Sequence, residues 1–280
     1  MVNKKSVDPS LSPRHSFAVQ LRRFREAANL TQAQLAKLMN YSASLISNIE
    51  HAKKNATLEF ATLADKVLNA HGALVMIWWH QFNSALIEGF PEFVAKEAVA
   101  KLIRVFEIDL IPGLLQTEEY ARALQSGNIR RGEATPEQAE ERVTMVLTRQ
   151  RLLTGERPPL IHAVIDEAAL RRPIGGPAAM ARQLRHLETL AQLPNIIIQV
   201  APIALGADRP FIHPAILLTL PDRTTVAYTE TEQRGYLEAD QEAVESLSSK
   251  YDRLQVEALS RTASLAAIRK LREEFESYAE

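Results

Sequence analysis

The chain has 280 residues, of which 46% are hydrophobic and 24% charged, with a formal net charge of -1 and no cysteine. This length corresponds to one large or two modest domains, and the composition excludes intrinsically disordered and collagen-like sequences. The lack of cysteine excludes disulfide scaffolds, thiolate zinc sites, cysteine nucleophiles and iron–sulfur clusters. The longest apolar run, Ala73 to Trp79, is far shorter than the roughly 20 residues that cross a bilayer. We therefore expect a soluble, cytoplasmic protein with no membrane segment.

Charge is distributed unevenly along the chain. Residues 1–82 hold ten Lys and Arg against five Asp and Glu, whereas the rest holds 23 against 29. A basic N-terminal part followed by an acidic remainder is typical of a polyanion-binding domain fused to a domain with another role.

The N-terminal part begins with a polar segment and then turns helical. Residues 1–13 contain Pro9 and Pro13 among Ser and Lys, which predicts a disordered arm. From Ser16 apolar residues recur at helical spacing and predict a first helix that ends near Asn29. Its inward residues are Phe17, Leu21, Phe24 and Ala28.

Two short helices are predicted next, each with its own N-cap. Thr31 caps the second helix, which ends at Asn40-Tyr41, and Ser42 caps the third. The predicted inward residues are Leu35, Ala36 and Met39 in the second helix and Leu45, Ile46 and Ile49 in the third. Small or polar residues face outward on the third helix, namely Ala43, Ser44, Ser47 and Asn48.

Two further helices complete an all-α bundle of about five helices over residues 14–82. The fourth begins at Thr57, and the fifth covers Leu74 to Phe82. The fourth is expected to bury Phe60, Leu63, Ala64, Val67 and Leu68. Gly89-Phe90-Pro91 interrupts the helical pattern, so we assign residues 83–90 to a linker and residues 91–280 to a second domain.

The second domain mixes helical and strand patterns. Helices are predicted near 93–104, 117–126, 136–154 and 178–192, and from Ala239 to the end with Ser260 as a cap between two of them. Strands are predicted at Leu160–Asp166, Asn195–Ala201, Ala215–Leu220 and Thr224–Glu230, the last two joined by a turn at Pro221-Asp222-Arg223. We expect an α+β domain with a small, mostly antiparallel sheet.

The second and third helices have the spacing of a helix-turn-helix. Thr31-Gln32-Ala33-Gln34-Leu35-Ala36 is followed by a short turn and by Ser42 to Glu50. Over roughly residues 16–70 the chain resembles the lambda-repressor-like, or Xre, family of DNA-binding domains. The alternative is a helical bundle without a DNA ligand.

This resemblance implies roles for individual residues. Gln32 corresponds to a residue that binds a DNA phosphate, and Lys53 and Lys54 to contacts with the DNA backbone. Arg25 and Glu50 correspond to a structural ion pair between the first and third helices. The positions that correspond to base-facing residues are Ala43, Ser44, Ser47 and Asn48, and Ser42 is a further candidate for DNA binding. Asn48 is the strongest candidate, because its amide can pair with an adenine edge.

One position departs from the family pattern. Ala52 stands just after the third helix, where family members usually have glycine. Because glycine suits a left-handed cap, Ala52 implies about 1 kcal/mol of strain or a different path of the chain.

The second domain resembles the C-terminal domain of actinobacterial Xre-type regulators, the WhiJ-like and antitoxin-like proteins. The segments that carry this resemblance include Ile111 to Arg122, Arg149 to Leu153, Asp166 to Arg171, Gly175-Gly176, Gln183-Leu184 and Ile198 to Val200. It implies that the domain senses a ligand or binds a small partner protein that is encoded nearby.

Catalysis by the second domain is the less favoured hypothesis. Carboxylates (Glu107, Asp109, Asp166, Glu167, Glu230) and histidines (His162, His186, His213) are present, but without a known catalytic or phosphate-binding motif. Asp166-Glu167 at the end of a strand is the first place to look for chemistry. Helix capping and pairing with Arg171 or Arg172 are the structural alternative. We expect no enzyme activity, no cofactor and no metal.

The sequence therefore predicts a two-domain transcriptional regulator that binds double-stranded operator DNA in the nucleoid. A single helix-turn-helix reads few base pairs, so we expect a homodimer on a pseudo-palindrome. The candidates for its interface are Trp78-Trp79 and the last helix with Leu265, Ile268, Leu271 and Phe275, and the alternative for both segments is a place in the core. The alternative is an antitoxin-like protein that mainly sequesters a small partner, with DNA binding secondary.

Overall fold

The computed structural model describes residue 8 and residues 13–80, 86, 88–231 and 234–278. The chain folds into two compact units, unit 1 at Met1–Ser84 and unit 2 at Ala85–Glu280. Most of the predicted arm and half of the predicted linker, residues 83–85 and 87, lie outside the described residues. No helix in the described part of the chain is long and apolar enough to cross a membrane.

Unit 1 contains five helices in its described part, as predicted. They are α1 Pro13–Ala27, α2 Gln32–Met39, α3 Ala43–Glu50, α4 Leu58–Val67 and α5 Ala73–His80. The predicted caps are confirmed, since the hydroxyl oxygens of Thr31, Ser42 and Thr57 each accept a backbone N–H from the first turn of α2, α3 and α4. These short polar side chains satisfy N–H groups that have no partner within the helix.

The core of unit 1 follows the predicted apolar positions with a few exceptions. Leu35, Ala36, Met39, Ile46 and Ile49 are buried. Ala28 is exposed, because α1 ends at Ala27 and the chain then turns through Asn29 in a left-handed conformation. The half-buried positions are Phe24, Leu45, Leu63 and Val67.

The tryptophan pair belongs to this core and not to a free surface. Trp78 is buried, and its indole N–H donates to the carbonyl oxygen of Ala56 at 2.8 Å. Trp79 is half-buried and packs edge-to-face on Trp78 with 5.1 Å between ring centroids. The use of Trp78 in unit 1 therefore removes it from the candidate interface.

Unit 2 is an α+β unit, as predicted. Its helices are α6 Phe90–Glu97, α7 Glu118–Arg130, α8 Pro136–Arg149, α9 Glu167–Arg171, α10 Pro177–Leu190, α11 Gln241–Glu257 and α12 Arg261–Ser277. Its strands are β1 Leu102–Glu107, β2 Leu160–Asp166, β3 Ile196–Ala201, β4 Ala215–Thr219, β5 Thr225–Glu230 and β6 Gly235–Glu238. Short 3-10 turns lie at Gly113–Leu115, Gln150–Thr154 and Ile203–Asp208. Ser260 caps α12 as predicted.

The sheet is larger than predicted. Six strands lie in the order β3-β2-β1-β4-β5-β6, with β1, β2 and β3 parallel and the remaining pairs antiparallel. All four predicted strands are present, and β4 and β5 form the predicted hairpin. β1 and β6 were missed, and the helix predicted over 93–104 is wrong beyond Glu97. A short strand that is buried on both faces cannot be told from a helix by its periodicity.

The two faces of the sheet are packed differently. Phe106 of β1 lies in a buried cluster with Tyr251 and Leu254 of α11. Because side chains alternate along a strand, Ile103, Val105 and Glu107 point to the opposite face. Of the last-helix residues that were candidates for a dimer interface, Ile268, Leu271 and Phe275 are buried within unit 2.

Sheet topology brings several acidic residues to one edge. β1 and β2 run parallel, and β5 runs in the same direction because two antiparallel pairings separate it from β1. The carboxyl ends of these three strands therefore share one edge of the sheet. They carry Glu107, Asp166 and Glu230.

Candidate nucleic-acid interface and ligand cavity

The outward face of α3 is polar and built from small side chains. Ala43, Ser44 and Asn48 are exposed, and Ser47 is half-buried. These residues repeat at positions i, i+1, i+4 and i+5, which lie on one side of a helix. The opposite side is held in the core by buried Ile46 and Ile49. With this face, the helix can therefore lie close to the floor of a nucleic-acid groove.

A buried carboxylate fixes the orientation of α3. Glu50, its last residue, is 0% exposed, and its carboxylate accepts two hydrogen bonds from Arg25 of α1 at 2.6 and 3.0 Å. The hydrogen bond to Glu50 raises the pKa of Arg25 above its ordinary value. Arg25 also donates to the carbonyl oxygen of Leu30 at 2.7 Å, so one guanidinium joins α1, the loop after it and α3.

Two further side chains join this ion pair. Gln32 donates from its amide nitrogen to Glu50 at 2.7 Å, and Arg22 donates to the backbone carbonyl oxygen of Glu50 at 2.9 Å. Gln32, predicted to bind a DNA phosphate, therefore uses one amide N–H inside the protein. It lies half-buried at the start of α2, where the first N–H groups of the helix point outward. Sequence reasoning missed this link because residues 18 positions apart show no pattern.

Ser42 has a structural role in the first turn of α3. Its hydroxyl oxygen accepts the backbone N–H of Leu45 at 3.2 Å and lies 3.1 Å from the hydroxyl oxygen of Ser44. Both serines are exposed. Ser42 therefore caps the helix that carries the predicted base-facing residues.

The end of α3 forms a left-handed cap on a residue that is not glycine. Ala52 has φ 53°, its N–H donates to Ile49, and the N–H of Lys53 donates to Asn48 at 2.8 Å. This is a Schellman motif, in which glycine is the usual residue at the Ala52 position. Of the two outcomes expected at Ala52, the strained cap is therefore the one observed. The exposed side chains of Lys53 and Lys54 follow it directly.

His51 is an exposed polar residue beside this face that sequence reasoning did not single out. Its Nδ1 atom lies 2.7 Å from the carbonyl oxygen of Ser47 and 3.4 Å from the hydroxyl oxygen of Ser47. The signal in the sequence was the spacing of four residues between Ser47 and His51, which places both side chains on the same side of a helix.

Unit 2 contains a cavity of about 350 Å³ at the acidic edge of its sheet. Its buried apolar lining comprises Ile103, Val105, Leu114, Leu115, Ile161 and Ala215. Its polar lining comprises Glu97, Glu107, Asp109, Arg149, Tyr228 and Glu230. The volume lies within the range of about 300–1,000 Å³ that is typical of small-molecule sites.

The segment around Ile111, singled out in the sequence, forms one wall of this cavity. Pro112 to Leu115 line it, and the segment is held by Gln183, which donates to Leu115 at 2.8 Å and accepts from the backbone N–H of Thr117 at 2.7 Å. Thr117 caps α7 as predicted. Gln150 also donates to the carbonyl oxygens of Gly113 and Gln116, at 2.9 and 2.7 Å.

A second wall combines aromatic rings with a buried ion pair. Arg149 donates to both carboxylate oxygens of Glu97, at 2.7 and 2.8 Å, and its guanidinium lies over the rings of Phe90 and Phe93. Phe93 stacks on Tyr228 with 4.1 Å between ring centroids. The positive charge of Arg149 is therefore largely compensated by the carboxylate of Glu97 and by the faces of the aromatic rings.

A glycine on β6 makes room for the tyrosine in this wall. A Cβ atom added to Gly235 would lie 2.1 Å from the hydroxyl oxygen of Tyr228. That hydroxyl donates to the carboxylate of Glu230 at 2.7 Å. Glycine at position 235 thus leaves room for the Tyr228–Glu230 pair to line the cavity.

Glu107 is the most strongly perturbed carboxyl group of the cavity. Burial, together with the negative charges of Glu230 and Asp109, raises the pKa of Glu107 to about 8, while Arg149 opposes the shift. By accessible surface the residue is only half-buried, because it lines the cavity. Glu107 was one of several acidic residues in the sequence, and only the fold sets it apart from them.

Asp166 and Glu167, the predicted first place for chemistry, have structural contacts. Asp166 caps α9 through the N–H of Ala168 and pairs with Arg209 at 2.5 Å. Glu167 pairs with Arg171 at 2.6 Å, as the structural alternative predicted. Arg172 instead pairs with Asp109 at 3.0 Å.

The three histidines lie away from this cavity lining. Burial and the charge of Arg104 lower the pKa of His162, and burial lowers the pKa of His186. His213 is exposed. In the described part of the chain, no group of three or more His, Asp or Glu side chains is arranged to hold a metal ion.

The chain matches two known protein families, one in each unit. Residues 16–76 match a family described as a helix-turn-helix domain. Residues 90–270 match a family described as "Domain of unknown function (DUF5753)". No curated protein and no solved structure matches the chain.

Proposed function

Because the chain belongs to the DUF5753 family and carries a helix-turn-helix domain before it, we propose that it is a sequence-specific transcriptional regulator of the Xre type. It acts on double-stranded DNA of the nucleoid in the cytoplasm. The helix-turn-helix domain supports DNA binding. The finer assignment to Xre-type and WhiJ-like regulators comes from the sequence resemblance.

One observation carries this proposal, the exposed polar face of α3 on a helix that is fixed by Glu50. Small side chains at Ala43 and Ser44 allow close approach to base edges, and Asn48 offers an amide for an adenine. Lys53 and Lys54 follow at the end of the helix, where they are placed for phosphate contacts. A fixed recognition helix loses little conformational entropy on binding.

The proposed regulator acts as a homodimer on a pseudo-palindromic operator. The eight residues of α3 contact few base pairs, and two half-sites about one helical turn apart multiply the specificity of each. Unit 2 is proposed to bind a ligand or small partner protein that controls DNA binding, without catalysis. Its cavity supports the ligand.

The test of base recognition is selection of bound sites from a random DNA library, followed by binding curves for variants. Asn48→Ala should lower discrimination at its base pair by about 1–3 kcal/mol. Lys53→Ala should weaken binding to all DNA sequences alike. It should also reduce the slope of log affinity against log salt concentration by about 1. Lys270→Ala, an exposed lysine of α12, is the charge-matched control and should change neither.

These residues are exposed, so the variants should fold normally. Unchanged base preference in Asn48→Ala would show that this helix face does not bind bases as proposed. A protein that selects no sequence from the library at either low or high salt contradicts the regulator itself.

Partner control is tested with genomic fragments around the protein's own promoter. Binding is measured at two salt concentrations, with and without the product of the adjacent gene. Specific binding that this product changes supports a partner-controlled regulator. Tight binding of the product without specific DNA binding favours the antitoxin-like alternative.

A further inference from the structure

Acidic groups outnumber basic groups in the lining of the unit 2 cavity. Four carboxyl groups line it, from Glu97, Glu107, Asp109 and Glu230, against the single guanidinium of Arg149. In their ionised forms these carboxyl groups repel an anionic ligand and attract a cation.

Three of the four carboxyl groups already have a partner within the protein. Glu97 pairs with Arg149, Asp109 pairs with Arg172, and Glu230 accepts the hydroxyl of Tyr228.

Glu107 differs from them, since no residue in the described part of the chain donates a hydrogen bond to its carboxyl group. The residue is half-buried and faces the cavity. A carboxylate that is partly withdrawn from water favours a charged or hydrogen-bonding partner. A cation that enters the cavity can supply this partner.

Apart from these charged groups, Tyr228 and Thr229, the lining is mainly apolar. Ile103 and Val105 of β1 precede Glu107 on the same face of the strand, and Leu114 and Leu115 lie on the opposing 3-10 turn. A ligand that fits must therefore combine a positive charge with an apolar body. The volume of about 350 Å³ suits a small molecule and is too small for a protein partner.

We propose that this cavity binds a small organic cation, an alkyl- or arylammonium ion, with Glu107 as its counter-ion. The proposal rests on the proposed function in one respect, since it names the ligand class by which unit 2 controls DNA binding. The cation supplies a partner for Glu107, and the apolar body packs on Ile103, Val105 and Leu115.

Binding should depend on pH, because a cation favours the charged form of Glu107. Its pKa of about 8 keeps the carboxyl group mostly protonated in the empty cavity at neutral pH. Cation binding then releases a proton, so affinity rises with pH until the carboxyl group is ionised. The other charged or titratable groups near it are Glu97 of α6, Asp109 after β1, Tyr120 of α7, Arg149 of α8, and Tyr228 and Glu230 of β5.

The experiment uses the full chain and a panel of quaternary alkyl- and arylammonium ions, including phenethyltrimethylammonium, whose charge does not titrate. Phenylpropanol and phenylpropionate are the neutral and anionic controls. Binding is measured by calorimetry at about pH 6 and about pH 8.5. We expect only the cations to bind, with at least about tenfold higher affinity at the higher pH, since each pH unit below the pKa of an acid changes its ionised fraction about tenfold.

The matched variants are Glu107→Gln and Glu242→Gln. Glutamine keeps the shape of Glu107 but removes its charge, so we expect at least about a tenfold loss of cation affinity at about pH 8.5, where the parent is ionised, and no remaining pH dependence. Glu242 is exposed at the start of α11 and does not line the cavity. Its variant should bind as the parent does.

Three results at about pH 8.5 would overturn the assignment: no cation of the panel binds, the cations bind no better than phenylpropanol, or Glu107→Gln binds them as tightly as the parent does. Thermal unfolding of Glu107→Gln checks that the variant is folded.

DNA affinity, measured in the same samples, separates this assignment from the proposed function. Cation binding without any change in DNA affinity supports the cavity assignment and contradicts ligand control of the regulator. A DNA affinity that responds to the adjacent gene product while no cation binds overturns the cavity assignment alone.

Discussion

At the scale of single residues, Glu50 shows how a buried charge orients α3. Its carboxylate is fully buried and receives hydrogen bonds from Arg25 and Gln32. Such a pair adds little net stability compared with apolar residues of the same shape. Removing one member leaves an unpaired buried charge, which costs about 3–5 kcal/mol. The pair therefore specifies the position of α3 more than it stabilises the unit.

This reasoning predicts the outcome of a double-mutant cycle. Arg25→Met should lower the free energy of unfolding by roughly 3 kcal/mol. This is the lower end of the expected range, because Arg22 stays near Glu50. Arg25→Met with Glu50→Leu should recover most of that loss, since no charge remains buried. Urea unfolding measures both. A single variant that loses less than about 1 kcal/mol contradicts the structural role of the pair.

At the scale of elements, the β4–β5 hairpin contains a residue that does not suit its turn. The loop Pro221-Asp222-Arg223 has Arg223 at φ 73°, with hydrogen bonds between Leu220 and both Arg223 and Thr224. A three-residue hairpin loop of this kind places its last residue in the left-handed region, where glycine is preferred. Arg223 is exposed, so its side chain contributes little packing to offset the strain.

We therefore expect Arg223→Gly to stabilise the protein by about 1 kcal/mol. Arg223→Ala is the matched control, because it removes the same side chain but keeps the backbone strain, and it should give no gain. Equal stability changes for both variants in thermal unfolding would show that the backbone conformation is not the cause. The positive φ follows from the loop length, whereas the arginine could not be recognised as strained from its sequence alone.

At the scale of the whole molecule, Glu107 gives the stability an unusual pH dependence. Its pKa is about 8 in the folded protein and lies near 4.5 without the fold. The folded state therefore binds more protons than the unfolded state between these values. Its stability contribution is fully present below the lower value and is lost as the pH rises through the upper one.

The free energy of unfolding should accordingly fall by a few kcal/mol between about pH 5 and pH 8.5, as each tenfold change in the proton equilibrium corresponds to about 1.4 kcal/mol. Glu107→Gln should flatten this part of the curve and be the more stable protein at the higher pH. Denaturant unfolding across this range provides the measurement. Parallel curves for the two proteins would contradict the perturbed pKa.

The helix-turn-helix could be predicted almost completely, because its signals are local. Thr31, Ser42 and Thr57 satisfy N–H groups within three residues of themselves, so their spacing identifies the starts of three helices. At Ala52 the family resemblance left strain or a different chain path open, and the structure shows the left-handed cap. The base-facing role of Asn48 stays a prediction.

The sheet and the cavity depended on contacts that the sequence does not display. β1 was mistaken for the end of a helix because burial on both faces removes the two-residue alternation. Its position between β2 and β4 then decided which acidic side chains meet at one edge. Glu107 and Glu230 are 123 positions apart, and no local pattern connects them.

By itself, therefore, the sequence determined the helices of unit 1, their caps and the polar composition of the outward face of α3, because each depends on residues within one or two turns. The tertiary structure alone decided that Gln32 joins Glu50, that Trp78 is core, and that Glu107 lies in a cavity beside other carboxyl groups. Burial and electrostatic environment depend on which distant segments surround a group, and only the packed chain specifies those.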